Sequence, residues 1–187
     1  SEMLVFDRIM VDIGDDQSID NDLSTYSSFL GNMKDMLTRA DEKTLVLIDE
    51  FGSGTEPAAG GAIAEAILSE LDRRGTYGVI TTHYTNLKLY ASADTGVMNG
   101  AMMFDVKNIA PLFKLEMGLP GNSFAFELAR KMGLPESIIK DAESRAGEEF
   151  VGIERNLRKI ARNRKALDEK LERIRHTDKT LENITDK

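Results

Sequence analysis

An α/β fold built on a mainly parallel sheet is predicted for this chain, and three observations carry the prediction. The run Leu45-Val46-Leu47-Ile48 is apolar without alternation, as expected of a central strand covered on both faces. A helical stripe follows it (Ile63, Ala64, Ile67, Leu68 and Leu71), and then a second strand-like run at Gly78–Thr82; strand, helix and strand in that order yield a parallel pair. The length of 187 residues, 41% of them hydrophobic, suits one core plus an appendage, and a heptad-patterned tail supplies the appendage.

The elements follow in chain order. Ile9-Met10-Val11-Asp12-Ile13 is apolar and β-branched, a short strand closed by Gly14-Asp15-Asp16. Ser24-Thr25 supplies N-cap chemistry for a helix whose apolar positions Tyr26, Phe29, Leu30, Met33, Leu37 and Ala40 share a face. The Leu45–Ile48 strand delivers Asp49 and Glu50 to its C-terminal end, and Phe51-Gly52-Ser53-Gly54-Thr55 turns the chain. Glu56 and Pro57 suit the first turn of the next helix, which ends near Arg73-Arg74-Gly75. Gly78–Thr82 then leads into His83. Val97–Phe104 and Ile109–Met117 read as short strands, hairpin-like. Gly118–Ser123 is a turn with a helix cap, Phe124–Met132 a short helix, and Gly133-Leu134-Pro135-Glu136 starts another. This helix-turn-helix shape is not notably basic, so core packing is favoured over DNA reading.

In the tail, positions 150, 153, 157, 160, 164, 167, 171, 174, 178 and 181 step by threes and fours and are apolar except for Arg164 and Asp178. That is a heptad seam, and a coiled coil is favoured over one long helix lying on its own domain. The expected organisation is therefore a sheet-bearing part over 1–117, a helical dimerisation unit over 118–146 and a coiled-coil helix over 147–187.

Charge and composition narrow the function. A net charge of −8 argues against the whole surface being a nucleic-acid footprint. Residues 148–187 nonetheless carry 11 basic and 9 acidic groups against 13 and 23 in the rest, so local basic stripes remain open there. With no cysteine there is no disulfide framework or thiolate metal site, and a cytoplasmic chain is the expectation. No apolar run approaches the roughly 18 residues of a membrane span, so no membrane partner is expected. The chain starts at Ser1, almost inside a strand-like segment, and reads as part of a longer protein.

Asp49 and Glu50 are the residues most suited to chemistry. Phosphoryl transfer to water needs one carboxylate for a metal ion and a second to orient the attacking water. Asp49 is assigned to magnesium and Glu50 to water. His83, at the end of the neighbouring strand, can donate a hydrogen bond to a γ-phosphate oxygen or help hold the water. Ser24, at a helix N-terminus, suits a phosphate or simply caps the helix. No Gly-x-x-x-x-Gly-Lys-Ser/Thr loop occurs in the chain to cradle the nucleotide's phosphates.

With Asp7-Arg8-Ile9, Ile13-Gly14-Asp15-Asp16, Leu23-Ser24-Thr25-Tyr26, Leu47-Ile48-Asp49-Glu50-Phe51-Gly52-Ser53-Gly54-Thr55 and Thr81-Thr82-His83-Tyr84 in this order, the chain resembles a MutS-type ATPase. Gly118–Ile139 resembles the small helical unit that follows the ATPase core in that family. Asp15–Ile19, Gly54–Pro57 and the basic heptad tail look like its bacterial MutS-two branch. The resemblance implies the later part of an ABC-type P-loop NTPase domain using ATP and Mg2+, in which Ser24 reaches a partner subunit's γ-phosphate and Thr25 beside it belongs to the same nucleotide-binding set. It also implies that Gly52, Ser53, Gly54 and Thr55 cross a homodimer interface and that His83 senses the γ-phosphate. The implied partners are branched or mismatched DNA and the ribosome or its rRNA, with suppression of recombination or ribosome rescue as roles. An Smr endonuclease domain is expected in the longer form, and this chain alone is expected to be inactive. The competing readings are an SMC-like recombination ATPase and a non-catalytic dimerising scaffold.

Overall fold

The computed structural model describes residues 4–13, 22–91, 94–105, 108, 110–121 and 123–147, and scattered helical positions between 152 and 174; the side chains of residues 22–25 are outside that description. Two compact units divide the chain, Ser1–Met98 and Asn99–Lys187.

In the first unit β1 (Arg8–Asp12), α1 (Asp22–Arg39), β2 (Thr44–Ile48), α2 (Pro57–Arg73) and β3 (Tyr77–Ile80) alternate as the sequence predicts, and a short helix that was not expected, α3 (Thr85–Tyr90), follows them. The three strands form a parallel sheet in the order β1-β2-β3. β2, the most apolar strand, is central because it can bury side chains against both neighbours. Its alternate residues Thr44, Val46 and Ile48 are buried, and Met10 of β1 joins them. Met33 and Met36 of α1 and Ala64, Ile67, Leu68 and Leu71 of α2 close over that face, with Phe51 among them. Fully burying one such side chain is worth about 1.5–3 kcal/mol, so this layer holds the unit together.

The expectation that β2 is covered on both faces is corrected. Leu45 and Leu47 on the opposite face are half-buried, and their neighbours Ile9, Val11, Tyr77 and Val79 are exposed. A run without alternation shows that both faces are apolar; it does not show what covers each.

α2 begins as its sequence dictates. Pro57 occupies the first turn, where its missing N–H is no loss, and the Glu56 carboxylate accepts from the Ala58 and Ala59 N–H groups at 3.0 and 2.8 Å. Those two bonds hold the Glu56 carboxyl below its ordinary range. At its far end Arg74 Nε donates to Glu70 at 2.7 Å and Nη1 donates to the Leu37 carbonyl of α1. The C-termini of α1 and α2 are thereby tied together.

α1 corrects a second expectation. It is already helical at Asp22, so Ser24 and Thr25 fall inside the first turn instead of capping it. Asp15–Ile19 lies outside the described residues.

In the second unit β4 (Gly100–Asp105) and β5 (Ala110–Met117) pair antiparallel, with an irregularity between Met102 and Phe104. α4 (Ala125–Lys131) and a helix over residues 136–147 form the helix-turn-helix shape, and Gly133 turns between them at φ 85°. Phe124 takes the N-cap position of α4 and makes no side-chain cap bond. Arg130 of α4 holds the pair by donating to Glu136 and to Glu143, the latter at 2.7 Å. Of the heptad positions, Leu167, Leu171 and Ile174 are described; they are helical and exposed. The other seven lie outside the described residues. Among the described residues, no helix is long and apolar enough to cross a membrane.

Candidate functional site

Parallel register brings the strand ends level. Asp12 pairs with Ile48 and Ile48 with Ile80, so the residues that follow emerge on one rim, the edge where ligands bind in open α/β sheets. Asp49 and Glu50 follow β2 there, both exposed, while Phe51 is buried. The backbone explains this switch. Glu50 adopts φ 48°, a left-handed conformation rare outside glycine that costs a residue with a Cβ roughly 1–2 kcal/mol. Beyond that turn, the Phe51 ring packs 5.8 Å from Phe29.

Hydrogen bonds stitch this segment to the end of β1 and to the segment after β3. The Asp49 N–H donates to the Asp12 carbonyl at 2.9 Å, and the Phe51 N–H to the Thr81 carbonyl at 2.9 Å. The Thr81 hydroxyl accepts the Glu50 N–H at 2.9 Å and donates to Asp49 Oδ1. Thr82 Oγ1 donates to the Phe51 carbonyl at 3.2 Å, and the Tyr84 hydroxyl to the Gly52 carbonyl at 3.0 Å. His83 sits between these two bonded residues and is exposed. The acid pair and the segment bearing the imidazole therefore run side by side, as the sequence predicts.

The turn after the acid pair is tightly held on one side and open on the other. Gly52 is buried with φ +88°, and a Cβ there would lie 2.9 Å from both Ala64 Cβ and Tyr84 Cε2. Ser53 and Gly54 are exposed, Thr55 is half-buried, and the Ser53 N–H donates to the Glu50 carbonyl at 3.0 Å. Gly54 also has φ +88°, and among the described residues a Cβ there would meet only Tyr26 Cβ, at 3.9 Å. Tyr26 lies two residues after Ser24, so the first half of α1 borders the Gly52–Thr55 turn. Burial of Tyr84, followed by the influence of Tyr26 and Glu56, raises its phenol above the usual range.

Three contributors escaped sequence reasoning. Thr81, Thr82 and Tyr84 were visible only as neighbours of His83, and the one available signal was a pair of hydroxyls exactly where a strand turns polar. Among the described residues no three carboxylate or imidazole groups cluster as a ready-made metal site. This is compatible with magnesium, which is commonly held by one or two carboxylates plus substrate phosphates. The Asp49 carboxylate, exposed and oriented by Thr81, is of the right chemical type for that.

Alternating strands and helices around a parallel sheet place the chain in the α/β class, and comparison with known proteins specifies it. The sequence matches the MutS domain V family over residues 1–149, and the chain belongs to that family, whose domain is an ATPase of P-loop type. It is 47% identical over 154 residues to the endonuclease MutS2 of Lachnospira eligens, covering 82% of this chain and 20% of that protein. Against the endonuclease MutS2 of Bacillus velezensis it is 43% identical over 171 residues, covering 91% and 22%. The endonuclease MutS2 of Halalkalibacterium halodurans is 46% identical over 154 residues, with 82% and 20% covered. These relatives lie in the branch that the motifs resemble, and the chain spans about a fifth of their length.

Proposed function

We propose that this chain supplies the metal- and water-handling part of an ATPase site in a MutS2-type DNA-processing protein. The observation that carries the reading is the shared rim: Asp49, Glu50 and the Thr81–Tyr84 segment meet at the C-terminal ends of β2 and β3. Asp49 would hold Mg2+ and Glu50 would orient the attacking water, with His83 hydrogen-bonding a γ-phosphate oxygen. Bound Mg–ATP supplies the phosphoryl group. The loop that cradles its phosphates is not among these residues, so this chain by itself is expected to bind ATP weakly.

Ser24 and Thr25, in the first turn of α1, suit a phosphate presented by a second subunit, since the positive end of the helix dipole lies there. Gly52–Thr55 would lie across the same interface. In this reading ATP joins two subunits, hydrolysis releases them, and the heptad tail pairs their helices. Branched or mismatched DNA, or the ribosome, would be engaged by other parts of the protein, because this chain is acidic. No residue here is assigned to cutting nucleic acid.

The test is Glu50→Gln in the complete protein. ATP binding should persist while turnover falls by about 10²-fold or more, the scale of losing a positioned acid-base group. Unchanged turnover would remove Glu50 from the mechanism.

A further inference from the structure

We propose that Thr81 is the positioning residue of this site, one hydroxyl setting both members of the Asp49-Glu50 pair. The inference rests on the reading of Glu50 given above and deepens it.

It starts from an irregularity in the ladder between β2 and β3. Past the Ile48–Ile80 pair the Thr81 N–H still donates to the Ile48 carbonyl at 2.9 Å. In a regular parallel ladder the Thr81 carbonyl would then accept from the Glu50 N–H. It accepts from Phe51 instead, at 2.9 Å. One residue is therefore extra on the β2 side, and that residue is Glu50, in the left-handed conformation. Insertions of this kind re-aim a side chain near active sites.

The displaced Glu50 N–H finds the Thr81 hydroxyl at 2.9 Å, and the same hydroxyl donates to Asp49 Oδ1. A threonine hydroxyl has one proton and two lone pairs, so both bonds can form at once. One oxygen thus orients the Asp49 carboxylate and fixes the backbone that aims Glu50. The β-branched side chain restricts χ1 and keeps that oxygen in place. Thr81 is exposed, so water can replace its bonds without unfolding the chain. What water cannot replace is the fixed geometry.

The experiment measures Mg–ATP hydrolysis by the complete protein carrying Thr81→Val, Thr81→Ala, Thr81→Ser or Glu50→Gln, with melting temperatures alongside. Loss of the hydroxyl in Thr81→Val and Thr81→Ala should lower kcat by about 10- to 100-fold, the scale of a small misplacement of catalytic groups. KM for ATP should stay within about twofold. Thr81→Ser should restore most of kcat, and the melting temperature should barely move. Thr81→Ala covers the case in which valine disturbs folding. Wild-type kcat in Thr81→Ala, equal damage in Thr81→Ser, or an effect confined to KM would overturn the proposal. If Glu50→Gln is inactive while Thr81→Ala turns over normally, only the role of Thr81 falls. If Glu50→Gln itself turns over normally, the reading beneath it falls as well.

Discussion

Replacing Gly52 by alanine tests how the turn behind the acid pair is built. Two separate penalties apply. A left-handed backbone costs a residue with a Cβ roughly 1–2 kcal/mol. The new Cβ would also lie 2.9 Å from Ala64 Cβ and from Tyr84 Cε2, and 3.3 Å from the Gly60 carbonyl oxygen. Overpacking of that kind adds about 1–3 kcal/mol, for a total of about 2–5 kcal/mol. Gly54 is the control, because its φ is the same and, among the described residues, its Cβ would meet only Tyr26 Cβ at 3.9 Å. Gly54→Ala should therefore cost the backbone part alone, roughly 1–2 kcal/mol. Urea unfolding followed by tyrosine fluorescence reads the difference cleanly. Tyr26, Tyr77, Tyr84 and Tyr90 are the four tyrosines of the chain; there is no tryptophan, and all four lie in the first unit. With a urea slope of about 2 kcal/mol/M, the midpoint should fall by about 1–2.5 M for Gly52→Ala and about 0.5–1 M for Gly54→Ala. Equal shifts would refute the close packing of Gly52 against α2 and Tyr84.

Two further outcomes follow from the hydrogen-bond network. Arg73 and Arg74 hold the Glu70 carboxyl at about 2, down from its ordinary 4.5; a depressed folded value means the contribution is present above about 4.5 and lost as pH falls towards about 2. Glu70→Gln should flatten the loss of stability in that window, and added salt should weaken it in part, because Arg73 is exposed while Glu70 and Arg74 are half-buried. Thr44 is fully buried, and its hydroxyl donates to Asp41 Oδ1 at 2.8 Å while accepting the Asp41 N–H at 3.2 Å. Thr44→Val should cost about 1–3 kcal/mol. It should also let the Asp41 carboxyl, now lowered chiefly by Thr44, titrate higher in carbon-13 NMR.

The parallel sheet was legible because apolar runs of strand length and a 3.6-residue stripe leave few alternatives for residues 44–82. The rim was legible for the same reason: once three strands are parallel, their following residues share an edge. The limits are equally physical. Nothing in Thr81 distinguishes a hydroxyl that bridges two residues of another strand from one facing water, since that depends on a one-residue register shift. The start of α1 was misplaced because Asn21, Asp22, Ser24 and Thr25 are all competent cap residues, and local pattern does not rank them. The second unit was legible in outline only. β5 is exposed along most of its length, so a buried face left little imprint on its sequence.

The most direct test of the central claim is a crystal structure of the complete protein with Mn2+ and a non-hydrolysable ATP analogue, using the anomalous signal of manganese. The expected result is a metal peak bound by the Asp49 carboxylate, directly or through one water, with Glu50 beside a water in line with the γ-phosphate and His83 at its oxygen. A metal–nucleotide pair seated away from the C-terminal ends of β2 and β3 would contradict it.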